Sequence, residues 1–210
     1  MKLARVHQEE NFLTFPARFG DMMISVIIPT HNDARTLTAA LQSVLDAAID
    51  GLVSEVILAD CGSTDATLEI ADAAGATVIE AGCGQQLLAG AQAARKPWLL
   101  FLKPCAAMEK GWENEAGAFI SKGEKGAAVF RFRLAGEGVW PRLRESFHAI
   151  RARTFHLPDC CNGLLIPARL IDSIGAASTP PVEEIDLMRR LGRGRVSMLK
   201  AAVIANAARA

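Results

Sequence analysis

The chain has 210 residues, with 23 basic and 23 acidic side chains, and half of it is apolar. That length fits one domain with a two-sided core, and the even charge offers no basic field for nucleic acid. No apolar run approaches the length of a membrane-spanning helix, so no integral membrane segment is expected.

The stretch 1–22 shows no hydrophobic period and no apolar core of the signal-peptide kind. It reads as an N-terminal extension ahead of a single domain over 23–210, in a cytoplasmic protein. Five cysteines without a paired spacing fit reduced thiols in that setting.

Ile24-Ser25-Val26-Ile27-Ile28 is a short β-branched run of buried-strand type, which Pro29 is expected to end. Thr30-His31-Asn32-Asp33 forms a polar loop, and a helix follows with Leu37, Leu41, Val44, Leu45 and Ala48 on one face. A second strand, Glu55 to Ala59, runs into the polar turn Asp60-Cys61-Gly62-Ser63-Thr64-Asp65. The spacing then predicts a helix from Thr64 to Ala74 capped by Gly75, a strand over Ala76 to Glu80 and a tight loop Ala81 to Gly84. A small-residue helix over Gln85 to Ala94 and a fourth buried strand, Trp98 to Leu102, complete this half.

Four alternations of strand and helix predict an α/β fold, a doubly wound, mostly parallel sheet with helices on both faces. In such a sheet the loops after the first two strands lie side by side over one crevice, where open α/β sheets take ligands. The second half is less regular. It predicts a helix from Gly111-Trp112 to about Ser121, a strand over Ala127 to Leu134 and an Arg-rich amphipathic helix over Arg142 to Phe155. A short strand at Gly163 to Ile166, a helix at Val182 to Leu191 and a last strand at Val196 to Ile204 follow.

The pair SVIIPTHND (25–33) and ADCGSTDAT (59–67) resembles the start of the family 2 glycosyltransferases, which have the GT-A fold. RKPWLLFL, Gly111-Trp112, LPDCCNGLL and PVEEIDLMRRL resemble later blocks of a small bacterial subgroup, so the likeness runs from Ile24 to the C-terminus. It implies transfer of a sugar from a UDP- or GDP-type nucleotide-sugar to an acceptor hydroxyl, by direct displacement with inversion. It also implies that Pro29, Thr30, Asn32, Asp33 and Asp60 hold the nucleotide. Glu183-Glu184 then matches the acidic pair that supplies the acceptor-side base, Glu184 being the better match. Two acids in the first turn of a helix also suit its dipole without any catalytic purpose.

The chain departs from the family at the metal. An Asp-x-Asp-like pair after the fourth strand usually holds a divalent ion, yet Leu102-Lys103-Pro104-Cys105-Ala106 has no carboxylate. Magnesium and manganese favour oxygen ligands, so no metal site and no cofactor are expected. Lys103 either sets its own charge near the diphosphate or is a solvated loop tip. Gln85 and Leu88 stand where the subgroup tends to have Arg and Asn, and Cys161 where it has Asp.

Asp60 is expected to be spare for a ligand, because Ser63, Thr64 and Asp65 can cap the turn and the helix after it. Arg189 and Arg190 read as a solvated face, and His148 and His156 lack partners at a metal spacing. Cys61, Cys83 and Cys105 each follow a strand on one sheet edge. A shared zinc site is disfavoured, since a strand between the second and fourth would part Cys61 from Cys105 by about 10 Å. Three functions remain in play: a glycosyltransferase, a nucleotide-sugar-binding pseudoenzyme without the metal site, and a scaffold acting through the 142–155 helix.

Overall fold

The computed structural model describes residues 23–123, 126–135, 163–173 and 184–206. The expected 1–22 extension, the Arg142 to Phe155 helix with His148 and His156, Cys161 and Glu183 lie outside the described residues.

Among the described residues eight strands form one sheet in the order β3-β2-β1-β4-β7-β6-β8-β5. They are β1 (Ile24–Thr30), β2 (Val53–Asp60), β3 (Thr77–Glu80), β4 (Trp98–Phe101), β5 (Ala106–Met108), β6 (Ala127–Ala135), β7 (Leu164–Pro167) and β8 (Val196–Asn206). The pairings run β3, β2, β1, β4, β6 and β8 in one direction and β7 and β5 against them. The α-helices among the described residues are α1 (Ala34–Ile49), α2 (Thr67–Ala73), α3 (Gln86–Ala93), α4 (Trp112–Ser121), α5 (Ala168–Ser173) and α6 (Glu184–Leu191). The sheet is doubly wound and mostly parallel, as expected, with β1 between β2 and β4.

Alternation along each strand supplies a core on each face. Ile24, Val26, Ile28, Leu58 and Leu100 pack with Leu37, Leu41 and Val44 of α1 and with Trp112 and Phe119 of α4. Ile27, Leu99 and Phe101 pack on the other face with Leu87 of α3, Ile171 of α5 and Leu187 and Leu191 of α6. Each such side chain contributes about 1.5–3 kcal/mol on burial. Trp112 is fully buried, donates its indole N–H to Ser43 O at 3.2 Å and meets Phe130 edge-on at 6.0 Å.

Four expectations are corrected. Pro29 does not end β1 but lies inside it, paired in register with Ala59 of β2. The ladder explains why this is tolerated. Thr30 O faces β2, accepting Cys61 N–H at 2.9 Å, whereas Ile27 O faces β4, accepting Leu102 N–H at 3.0 Å. Pro29, two residues after Ile27, therefore faces β4, which ends at Phe101; its missing N–H stops that ladder and leaves the other intact. On α1 the buried face is Leu37, Ala40, Leu41, Val44 and Ala47, and Leu45, about 100° round from Val44, is 55% exposed. Ala48 is exposed too.

The third correction is the start of α2, at Thr67 rather than Thr64, because residues 63–65 are drawn into contacts with the first loop. Its end is as expected. Gly75 has φ 68°, Gly75 N–H bonds Asp72 O at 2.9 Å and Ala76 N–H bonds Ala71 O at 3.0 Å, the paired bonds of a left-handed glycine cap. The fourth correction concerns the cysteines. Cys61 and Cys83 form a disulfide, with Cα atoms 5.2 Å apart, because neighbouring strands β2 and β3 deliver both to the same edge.

The sequence reading also missed β5, α5 and a bulge in β8. Pairing with β6 passes from Val129↔Met198 to Arg131↔Ala202, so extra residues stand out of the β8 ladder. Glu115 accepts the N–H groups of two of them, Lys200 at 2.6 Å and Ala201 at 2.9 Å, and Glu109 accepts Ala202 N–H at 3.0 Å where pairing resumes.

Candidate nucleotide site at the carboxyl edge of the sheet

β1 and β2 run parallel in register to Thr30↔Asp60, so the loops after them begin side by side. Thr30 is buried and donates its hydroxyl to Asp60 Oδ1 at 2.8 Å. Ser63 adds two bonds to the same carboxylate, Oγ to Oδ1 at 2.5 Å and N–H to Oδ2 at 2.7 Å. Burial raises the Asp60 pKa, but the Ser63 hydroxyl and N–H, the Thr30 hydroxyl and the Gly62 N–H outweigh it and hold the pKa below the ordinary aspartate value. Asp60 is therefore a buried, ionised acceptor and a poor proton shuttle.

This differs from the expected spare carboxylate. Ser63 and Thr64 do not cap α2; Ser63 is bound to Asp60 instead. Both Asp60 oxygens are occupied, and only 4% of the residue is exposed. Its first task is to fix the turn from which the two loops meet.

Asn32 fastens that meeting. It takes the left-handed conformation, φ 56°, which Asn tolerates better than most residues. Its Oδ1 accepts Thr64 N–H at 2.8 Å, Asp65 N–H at 3.3 Å and the Thr64 hydroxyl at 3.3 Å, and its own N–H donates to Ser63 Oγ at 2.9 Å. Asp33 accepts His31 N–H at 2.9 Å and donates its N–H to Thr67 Oγ1 at 2.9 Å. His31 Nδ1 is 2.7 Å from Cys61 O; a carbonyl only accepts, so Nδ1 carries the proton.

Asp65 serves two helices. One oxygen accepts Thr67 N–H at 3.0 Å and the Thr67 hydroxyl, and the other accepts Ala34 N–H at the start of α1 at 3.2 Å. The Thr67 hydroxyl is the main cause that lowers its pKa; desolvation opposes it, and the Thr67 and Ala34 N–H groups help. A negative charge at two helix N-termini is favourable.

The structure thus brings Thr30, Asn32, Asp33 and Asp60 into one network, with Pro29 half-buried at its root. Lys103 is half-buried just after β4, one strand over from β1 on the same edge. Glu184 is the first residue of α6. Sequence reasoning missed His31, Ser63, Asp65 and Thr67 as site-builders. Their polarity was legible in the two motifs, but local capping explained them equally well.

A divalent ion after β4 would need oxygen ligands. The turn Lys103-Pro104-Cys105 offers no carboxylate, and among the described residues no three His, Cys, Asp or Glu side chains converge. The described residues do not fit such an ion.

A family model described as glycosyl transferase family 2 matches residues 25–166. The chain belongs to this family. Among solved structures, S. aureus TarS 1–349 is similar to this family 2 chain with TM-score 0.67 at 20% identity, over 88% of this chain and 60% of that one. Glucosyl-3-phosphoglycerate synthase from Mycobacterium tuberculosis, in complex with Mn2+, uridine diphosphate and glucosyl-3-phosphoglycerate, has TM-score 0.62 at 21% identity, over 88% and 70%. These TM-scores show a shared fold, GT-A. This family 2 chain spans about 60% of the TarS fragment's length. No curated protein sequence matches it. Among the described residues no helix is long and apolar enough to cross a membrane.

Proposed function

We propose that this family 2 chain is a cytoplasmic glycosyltransferase that takes a nucleotide-sugar, of the UDP type, and passes the sugar to an acceptor hydroxyl. The observation that carries the reading is the hydrogen-bonded union of the 30–33 and 60–67 loops on adjacent parallel strands. A rigid polar rim at a sheet's carboxyl edge is where α/β folds take nucleotides. TarS 1–349 was solved with UDP-GlcNAc and the mycobacterial synthase with UDP-glucose, which supports a uridine donor.

Pro29, Thr30, Asn32, Asp33 and Asp60 line or brace the nucleotide end, and Lys103 lies toward the diphosphate. The acceptor oxygen bonds to the anomeric carbon as the bond to the diphosphate breaks, with inversion. The acceptor proton passes to Glu184 or, as the second candidate, Glu183. The binding test is isothermal titration with UDP, UDP-GlcNAc, UDP-glucose and GDP. Saturable binding of a uridine nucleotide is expected, and no binding of any of the four overturns the reading.

The absence of carboxylates in the 103–105 turn favours one second reading, a pseudoenzyme that binds the nucleotide-sugar without transferring it. Donor hydrolysis separates the two: release of UDP above the uncatalysed rate, lost in Glu184→Gln with UDP affinity kept, supports the enzyme.

A further inference from the structure

The disulfide lies within this site. Cys61 is the residue between the braced Asp60 and the turn at Gly62-Ser63; its N–H is held by Thr30 O at 2.9 Å and its carbonyl by His31. Cys83 sits in the loop that leads from β3 to α3. That loop has few bonds of its own: Ala81 N–H to Asp60 O at 2.9 Å, Gln85 N–H to Gly82 O at 2.9 Å and Gly84 N–H to the Gln86 side chain at 2.8 Å. It hangs from β3, a four-residue strand at the edge of the sheet. The 60–67 loop has many hydrogen bonds besides the disulfide, and the 81–85 loop has few.

We propose that Cys61–Cys83 is a reversible thiol–disulfide pair that pins the 81–85 loop beside Asp60 as a wall of the nucleotide crevice, and frees it on reduction. Accessibility sets the route. Cys83 is exposed whereas Cys61 is 8% exposed, so an incoming thiolate attacks Cys83 Sγ and Cys61 leaves as the thiolate. With a dithiol reductant, its second thiol then attacks the mixed disulfide and Cys83 departs. The reductant's two sulfurs end bonded to each other, its two protons end on the cysteines, and two electrons have passed to the protein. Oxidation is the reverse, with a small-molecule disulfide as oxidant. A cytosolic disulfide is ordinarily a transient or sensing device rather than a permanent staple, which suits an exposed, attackable sulfur.

The effect on ligand rests on the nucleotide reading above. A wall fixed in advance does not have to be ordered when ligand arrives, so the oxidised protein binds UDP more tightly, by at least about fivefold. The experiment compares full-length protein oxidised by glutathione disulfide, the same protein reduced by dithiothreitol, and Cys83→Ser. Peptide mapping after alkylation reads the 61–83 link, hydrogen exchange reads the loops, and titration reads UDP. The link is expected after oxidation, with faster exchange over 82–85 on reduction and in Cys83→Ser, while 30–33 and 60–66 change little. Alkylation of both cysteines after glutathione disulfide treatment, or unchanged exchange over 82–85, overturns the proposal. Equal UDP affinity in the two states overturns the coupling to ligand. Absence of UDP binding in both states sinks the nucleotide reading instead, and the mapping and exchange still decide the pair.

Discussion

Asp60 carries the most weight at the scale of single residues, and its role is read from its bonds. Removing the carboxylate leaves the Thr30 hydroxyl and the Ser63 and Gly62 N–H groups without their acceptor. Asp60→Ala should therefore lower stability by about 1–3 kcal/mol, seen in the urea midpoint, before any ligand is considered. The pH dependence has a fixed sign. Folding depresses the Asp60 pKa, so its contribution is complete above the ordinary aspartate value of 3.8 and is lost as pH falls through the lower folded value. Asp60→Asn stays neutral throughout. The stability gap between wild type and Asp60→Asn should thus be widest near neutrality and close at acid pH. A gap that widens on acidification would mean the carboxyl is held protonated, contrary to its bonds.

The order of the elements was legible because their signals are local. β-branched runs, a glycine cap and a 3.6-residue period each specify their own stretch, and β1 to β4 came out in sequence and in place. Features that depend on another part of the chain were not legible. Pro29 reads as a strand end until β4 is known to stop beside it. Ser63 and Asp65 read as local caps until the first loop is seen to need them. The β8 bulge had no signal of its own, because its stability comes from Glu115 and Glu109, distant in sequence.

A Cβ at Gly90 of α3 would collide with Ile27 Cγ2 of β1. Gly90→Ala should destabilise by about 1–3 kcal/mol through overpacking, although alanine is the better helix former; a raised melting temperature would refute the close approach. Glu115→Ala strips the acceptor from Lys200 and Ala201 and should cost about 1–3 kcal/mol, with faster amide exchange at those two residues. Unchanged exchange there would mean the bulge is held by something else.

The parallel strands β2, β1 and β4 are neighbours and end on one edge of the sheet. A departing diphosphate needs positive partners, and in the mycobacterial neighbour's complex Mn2+ accompanies uridine diphosphate. Here the turn after β4 presents Lys103 where oxygen ligands would be required, and no three ligating side chains converge among the described residues. Preorganised donors can supply several kcal/mol toward developing charge without an ion, so metal-free binding and transfer are physically admissible. UDP affinity should accordingly be the same in EDTA as in Mn2+. Lys103→Ala should weaken UDP by about 1.5–3 kcal/mol if its charged hydrogen bond to the diphosphate is lost, while UMP, with one phosphate fewer, should be affected less. Titrations of UDP and UMP in both buffers decide this. Affinity or turnover that depends on added Mn2+ or Mg2+ would assign the ion to carboxylates elsewhere, such as Glu183 and Glu184 with Asp60. Lys103 would then lose its place opposite the diphosphate.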